Sequence, residues 1–271
     1  MRHPDSRALL KVEHLSVGLK GQAPLVKDVN FTLYPQECLA IVGESGAGKS
    51  LSQLALLDLL GRGFDVSGKA YYEGNAFLGD AKRTRALRGS EIFFMVQQPM
   101  SAFDPLMRIG QQLLETLKVI QPKVTPEKAQ ARILDMLQTL QFDDPRAILE
   151  RYPSELSGGM LQRIMIACAL LTQPKLIIAD EPTSALDVIA SQEVIKAFQS
   201  IRAQHHTSLI IITHDLGVAH ALADQFLVMK DGNVIEYGNR ALFKHPQAPY
   251  TQYLISTRQM LMNHCPGIAE G

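Results

Sequence analysis

Two early stretches, residues 9–17 and 29–33, alternate apolar and polar positions, the two-residue period of strands buried on one face, with Gly and Pro between them. They predict a small antiparallel β-layer at the start of the fold. Residues 38–42 are apolar throughout, as in a strand buried on both faces, and they run into a glycine-rich loop and a helix expected over 49–60. Another apolar strand, 92–96, ends at Gln97-Gln98-Pro99, where proline removes a ladder donor. A helical block follows: Pro122 and Pro126 break it, Thr125 is the N-cap, Pro126 takes the first helical position, and Ala129, Ile133, Leu137 and Leu140 recur at helical spacing. A further helix opens in the octapeptide Leu156-Ser157-Gly158-Gly159-Met160-Leu161-Gln162-Arg163. Beyond it the pattern predicts a strand at 176–179, a helix at about 189–203, a strand at 209–213 and a hairpin over 226–235 turning at Asp231-Gly232. Parallel βα units with an antiparallel edge, interrupted by a helical insertion, are the expected α/β architecture.

The 271 residues suit one large domain, or a core with an inserted subdomain. Lys plus Arg and Asp plus Glu both total 27, so no net field favours nucleic acid as a partner. The longest apolar run, 164–171, falls short of the roughly 20 residues that span a bilayer, and the N-terminus MRHPDSRALL lacks a signal-peptide core, so the chain is expected in the cytoplasm. Cys38, Cys168 and Cys265 show no C-x-x-C spacing; the first two lie in apolar runs and read as core filler.

The chemistry concentrates in three places. In Gly43-Glu44-Ser45-Gly46-Ala47-Gly48-Lys49-Ser50 the glycines let the backbone curl so that successive N–H groups face phosphate oxygens, and the helix that follows adds its positive end. Lys49 suits the β- and γ-phosphates and Ser50 suits Mg²⁺. Asp180 and Glu181 end an apolar strand, where two adjacent carboxylates need a cation to offset their desolvation. Asp180 is expected to hold Mg²⁺ through water, and Glu181 to orient and polarise the attacking water. The third place is the octapeptide at 156–163, whose serine and glycines can face an anion although that helix has no phosphate loop of its own.

Together these segments resemble the ATP-binding cassette (ABC) family, with motifs in the family's order from about residue 9 to 257. The resemblance implies a phosphate-loop ATPase fold: a mixed-to-parallel core with its antiparallel β-layer over 1–97 and 174–248, a helical subdomain over 98–173, and a short extension over 249–271. It implies that Ser157, Gly158, Gly159 and Met160 complete the nucleotide site of a second cassette, while Ser184, Ala185, Leu186 and Asp187 form the loop that communicates between the two sites. Gln97 matches the residue that reaches Mg²⁺ and water, and His214 the one that contacts the γ-phosphate. After Gln97, Met100, Phe103, Leu106 and Met107 are expected to grip a membrane partner. ATP and Mg²⁺ are the implied substrate and cofactor. The implied partners are a second ATPase subunit, a different chain, together with two permeases and, indirectly, an extracytoplasmic solute-binding protein, on the cytoplasmic face of the membrane.

Within the family, Met160 and His245-Pro246-Gln247-Ala248-Pro249-Tyr250-Thr251 resemble ATPases of peptide and nickel importers, with the nickel or metal-chelate branch favoured by the short tail. The alternatives are a soluble ABC-type ATPase or a silent regulatory cassette, against which stand the absence of basic arms and the presence of Lys49, Asp180, Glu181 and His214. No iron–sulfur cluster is expected in the tail, and His205-His206 reads as a solvated turn. One departure stands out: near Gly18-Leu19, where relatives carry an aromatic ring for adenine, this chain has only Leu19, so weak discrimination between ATP and GTP is expected.

Overall fold

The computed structural model describes residues 7–184 and 186–264. They form two compact units, one made of the chain through Arg85 together with everything from Ile210 on, the other of Ala86–Leu209.

The first unit opens with β1 (Leu10–Leu19) and β2 (Pro24–Leu33), paired antiparallel as the alternation predicts. Then come β3 (Cys38–Val42), α1 (Lys49–Leu56), β4 (Phe64–Tyr72), β5 (Asn75–Ala76) and α2 (Ala81–Leu87). β4 pairs antiparallel with the free side of β1, and β5 closes a hairpin on β4. These two strands were not legible in the sequence, because residues 64–69 are mostly exposed and carry little apolar period. α1 also ends four residues before the expected position: Asp58 takes a left-handed conformation, φ 52°, which terminates the helix there.

The second unit contains β6 (Ile92–Met95), α3 (Ile109–Ile120), α4 (Pro126–Thr139), α5 (Pro145–Glu150), α6 (Gly158–Thr172), β7 (Leu176–Asp180) and α7 (Val188–His205). β6 and β7 pair in parallel. α4 is capped as the sequence indicated, with the Thr125 hydroxyl accepting from Lys128 N–H at 3.5 Å and Ala129, Ile133, Leu137 and Leu140 all buried. α6 is the axis of this unit; from Leu161 to Thr172 every residue but Arg163 is buried. Arg163 has a positional job: its guanidinium donates to the carbonyls of Leu140 and Gln141, stacks over the Phe142 ring at 4.4 Å and pairs with Glu193 of α7. Cys168 lies within α6, where burial pushes its thiol up to about 12, so it serves as inert filler rather than as a nucleophile.

β8 (Ser208–Thr213) leads back into the first unit, followed by α8 (Leu216–Leu222), β9 (Gln225–Lys230), β10 (Asn233–Asn239), α9 (Ala241–Lys244) and α10 (Pro249–His264). The strand order there is β5-β4-β1-β2-β10-β9-β3-β8, antiparallel on the β1 side, with β3 parallel to β9. β3 and β8 are buried at every residue, the burial that parallel strands covered on both faces require. The hairpin turns at Asp231-Gly232, both at positive φ, as a two-residue turn demands, and is longer at both ends than its apolar pattern suggested. Among the described residues no helix is long and apolar enough to cross a membrane. Cys265 and Ala185 lie outside the described residues.

Candidate functional site

The loop at 43–50 joins β3 to α1, the strand–loop–helix setting a phosphate cradle needs. Gly43 is dictated by space: a Cβ there would lie 2.1 Å from the carbonyl oxygen of Met229 on β9. Gly48 is the left-handed N-cap of α1. Glu44, Ser45 and Gly46 are exposed, while Ala47 and Lys49 are buried and Gly48 and Ser50 half-buried. The Lys49 ammonium donates to the carbonyls of Gly43 at 2.8 Å and Glu44 at 2.9 Å, so the cation already sits inside the curl of the loop.

Two contacts brace this loop from segments far along the chain, and neither was foreseen from the sequence. Gly232, in the β9–β10 turn, donates its N–H to the Ala47 carbonyl at 3.2 Å while its own carbonyl accepts from Lys27 N–H. It must be glycine, since its φ is 76° and a Cβ would lie 1.8 Å from the Leu25 carbonyl oxygen. The second contact is Tyr250, whose hydroxyl accepts from Glu44 N–H at 3.3 Å.

Leu19 ends β1, half-buried, and its cross-strand partner on β4 is Phe64. Directly opposed residues of an antiparallel pair share a face, so an aromatic ring stands beside Leu19 after all. Sequence reasoning looked for that ring only on β1 and missed it, because β4 itself was not recognised. His214, exposed, follows β8, and Asp215 beside it caps α8 by accepting from Gly217 and Val218 N–H.

In the second unit, β7 ends in Asp180 and Glu181 follows it, both buried. Glu181 is a non-glycine residue at φ 47°, a left-handed conformation that costs about 1–2 kcal/mol. Strain of this kind persists where the surroundings over-determine it, often at functional positions. Gln97 lies exposed just past β6. In the segment that follows, Met100 and Leu106 are exposed but Phe103 is 8% exposed; its ring belongs to the core of this unit, which corrects the expectation that it faces a partner.

The octapeptide opens α6 as expected. Ser157 is its N-cap, with the hydroxyl oxygen accepting from Met160 N–H at 3.3 Å, which leaves the hydroxyl proton able to donate to an anion. Ser157, Gly159 and Met160 line one groove of about 520 Å³ together with Asp187, Val188 and Ile189. Asp187 caps α7 by accepting from Ala190 N–H at 2.8 Å. The two glycines differ. A Cβ on Gly159 would come 3.0 Å from the Cβ of Ala190, so closely that α7 would have to give by a few tenths of an ångström to admit it. A Cβ on exposed Gly158 would meet only Leu186 Cδ2, at an ordinary 3.8 Å. Among the described residues, no packing contact requires glycine at 158. His206, whose neighbour ends α7, is an exposed left-handed cap.

The phosphate loop, Leu19 and His214 thus belong to the first unit, and Gln97, Asp180, Glu181, residues 157–160, Ser184, Leu186 and Asp187 to the second.

Known proteins place this arrangement. The ABC transporter family profile matches residues 26–184. A metal-staphylopine import system ATP-binding protein of Staphylococcus aureus is 41% identical over 97% of this chain and 98% of its own length. An oligopeptide transport ATP-binding protein of Haemophilus influenzae is 41% identical over 90% of this chain and 76% of its own. Among solved structures, cbiO1 from Clostridium perfringens, part of the ABC transporter complex cbiONQ, shares the fold with a TM-score of 0.75 at 24% identity, covering 97% of each chain. An ATP-binding cassette solved as a post-hydrolysis dimer bound to ADP and Pi gives 0.74 at 24% identity, over 85% of this chain and 98% of that one. With its family profile matched over more than half of its residues and relatives matched over nearly all its length, the chain belongs to the ABC transporter family and is an ATP-binding cassette ATPase.

Proposed function

We propose that this cassette is the energy-coupling subunit of an importer: it closes on ATP against a second, different ATPase chain, moves two attached permeases at the cytoplasmic face of the membrane, and reopens after hydrolysis. The cargo, delivered by an extracytoplasmic binding protein, is a metal chelate. The observation that carries the importer reading is the 41% identity, over 97% of the chain, to an ATP-binding protein of metal-staphylopine import; the oligopeptide counterpart matches over 90%.

The residues divide the work as follows. Backbone N–H groups of the loop past Glu44 hold the phosphates, and Lys49 exchanges the carbonyls of Gly43 and Glu44 for β- and γ-phosphate oxygens. The Ser50 hydroxyl, the Gln97 amide oxygen and the Asp180 carboxylate are each a hard oxygen donor of the kind that suits Mg²⁺. Held by such donors, Mg²⁺ would neutralise charge on the transferring phosphoryl group. Glu181 orients the attacking water and accepts its proton, and His214 contacts the γ-phosphate. Leu19 and Phe64 form the platform for the base. Ser157, Gly158, Gly159 and Met160 present their donors to the γ-phosphate held by the other cassette, a role supported by the exposure of Gly158 and its freedom from packing demands. The loop of Ser184, Ala185, Leu186 and Asp187 carries the state of one site to the other, a role supported by Leu186 and Asp187 adjoining that donor end and by Ser184 N–H bonding the Glu181 carbonyl.

The decisive measurement is phosphate release by the assembled complex carrying Glu181→Gln. Turnover falls about 10²–10⁴-fold, the range for a positioned proton-transfer group, while ATP still binds. Unchanged hydrolysis refutes the role of Glu181. Uptake of a radiolabelled metal chelate against a labelled oligopeptide decides the cargo.

A further inference from the structure

The segment His245–Thr251 was singled out by its sequence, yet the hydrolytic chemistry gives it no task. Its fold shows one. Glu236 of β10 reaches across to the turn ahead of α10 and accepts from the N–H groups of Gln247 at 2.9 Å and Ala248 at 3.2 Å. This fixes the first turn of α10, and from that turn Tyr250 projects back to the phosphate loop. Its hydroxyl accepts from Glu44 N–H, and its ring lies under the Lys230 ammonium, 4.8 Å from the centroid. Lys230 immediately precedes Asp231-Gly232, whose glycine braces Ala47 on the far side of the same loop. The loop is therefore held at Glu44 and at Ala47 by two segments that are themselves linked through Lys230 and Tyr250. Burial raises the Tyr250 phenol above its ordinary value, so the hydroxyl remains protonated at neutral pH.

We propose that Tyr250 is a positioning residue for nucleotide binding: its hydroxyl holds the entry of the phosphate loop at Glu44, and the Glu236-anchored segment thereby sets affinity for the polyphosphate. The proposal rests on the assignment of residues 43–50 to phosphate binding. Glu44 N–H comes one residue past the glycine that abuts Met229, ahead of the remaining N–H groups of the loop, so its direction governs how they converge. Without an acceptor there, the loop samples other arrangements and binding must first select the right one.

The test uses the full chain and displacement of a fluorescent ATP analogue by ATP, ADP and inorganic tripolyphosphate. Tyr250→Phe keeps the ring and its Lys230 contact and removes only the hydroxyl. Affinity for all three ligands falls together by about three- to tenfold, the equivalent of one hydrogen bond, with the melting temperature unchanged. In the assembled transporter KM for ATP rises by the same factor while kcat holds. Glu236→Gln weakens binding in the same direction, and the double variant binds no more weakly than Tyr250→Phe, because both act through one contact. Unaltered polyphosphate affinity in Tyr250→Phe overturns the proposal, as does a loss accompanied by a fall in melting temperature. Failure of the wild-type chain to bind tripolyphosphate refutes instead the assignment of residues 43–50.

Discussion

Replacing Gly158 by alanine separates what this chain needs for itself from what it offers a partner. Alanine is the better helix former by up to about 1 kcal/mol. Its Cβ would meet nothing nearer than Leu186 Cδ2 at 3.8 Å, an ordinary contact. Gly158→Ala should therefore leave the thermal unfolding of the isolated chain unchanged or slightly raised. Gly159→Ala is the comparator: its Cβ would stand 3.0 Å from Ala190 Cβ, so α7 has to give by a few tenths of an ångström, and overpacking costs about 1–3 kcal/mol where the neighbour does not yield, against a gain in helix propensity. Activity orders the two differently. If Gly158 leaves room for a γ-phosphate bound by another cassette, a methyl group displaces the donors from that phosphate. Loss of one such donor costs about 10²–10³ in turnover. The assay is phosphate release by the assembled complex beside calorimetric unfolding of the isolated chain. A Gly158→Ala protein that hydrolyses ATP at the wild-type rate, or that unfolds as early as Gly159→Ala, refutes the reasoning.

Gly232→Ala should lower stability and ATP affinity together, since left-handed backbone costs an alanine about 1–2 kcal/mol before the clash with the Leu25 carbonyl is counted, and the same residue braces Ala47; calorimetry and ATP titration check both. Phe64→Ala should weaken ATP by about five- to a hundredfold, the worth of a base–aromatic stack, and leave inorganic tripolyphosphate binding unaltered; equal losses for the two ligands in a titration would place Phe64 elsewhere. Burial pushes the Glu236 carboxyl up, but the N–H of Gln247, the Thr251 hydroxyl and the N–H of Ala248 outweigh it and leave it below its ordinary value. The stability it lends is then present above the unfolded carboxylate range and lost as pH falls through the lowered folded value. Hydrogen exchange at Gln247 and Ala248, corrected for intrinsic rates, should show protection lost on acidification in the wild type and no such step in Glu236→Gln.

The phosphate loop, the helix opening at Ser157 and the strand ending in Asp180-Glu181 were legible because each depends on local chemistry. Glycine spacing, an N-cap hydroxyl and an apolar strand stopped by carboxylates are contiguous in sequence, and the buried strands 38–42 and 209–213 declare themselves by unbroken apolarity. Phe103 misled because a ring in a polar loop carries no periodicity to say which way it faces; packing within its own unit decided. β4 escaped because a strand exposed along most of its first six residues carries no apolar period, and with it went Phe64, which stands beside Leu19 only through strand register.

By itself the sequence determined the family, the order of strands and helices around the chemical motifs, and the residue types whose chemistry suits phosphate and a hard cation. Those follow from backbone conformation and side-chain chemistry within a few consecutive positions. Only tertiary structure decided that Gly232 and Tyr250 brace the phosphate loop, that Gly159 serves the contact between α6 and α7 while Gly158 does not, and that Glu181 sits in left-handed backbone. Each of these is a distance or an angle set by how remote segments pack, and the physical cause lies in the exclusion of overlapping atoms and the pairing of backbone polar groups.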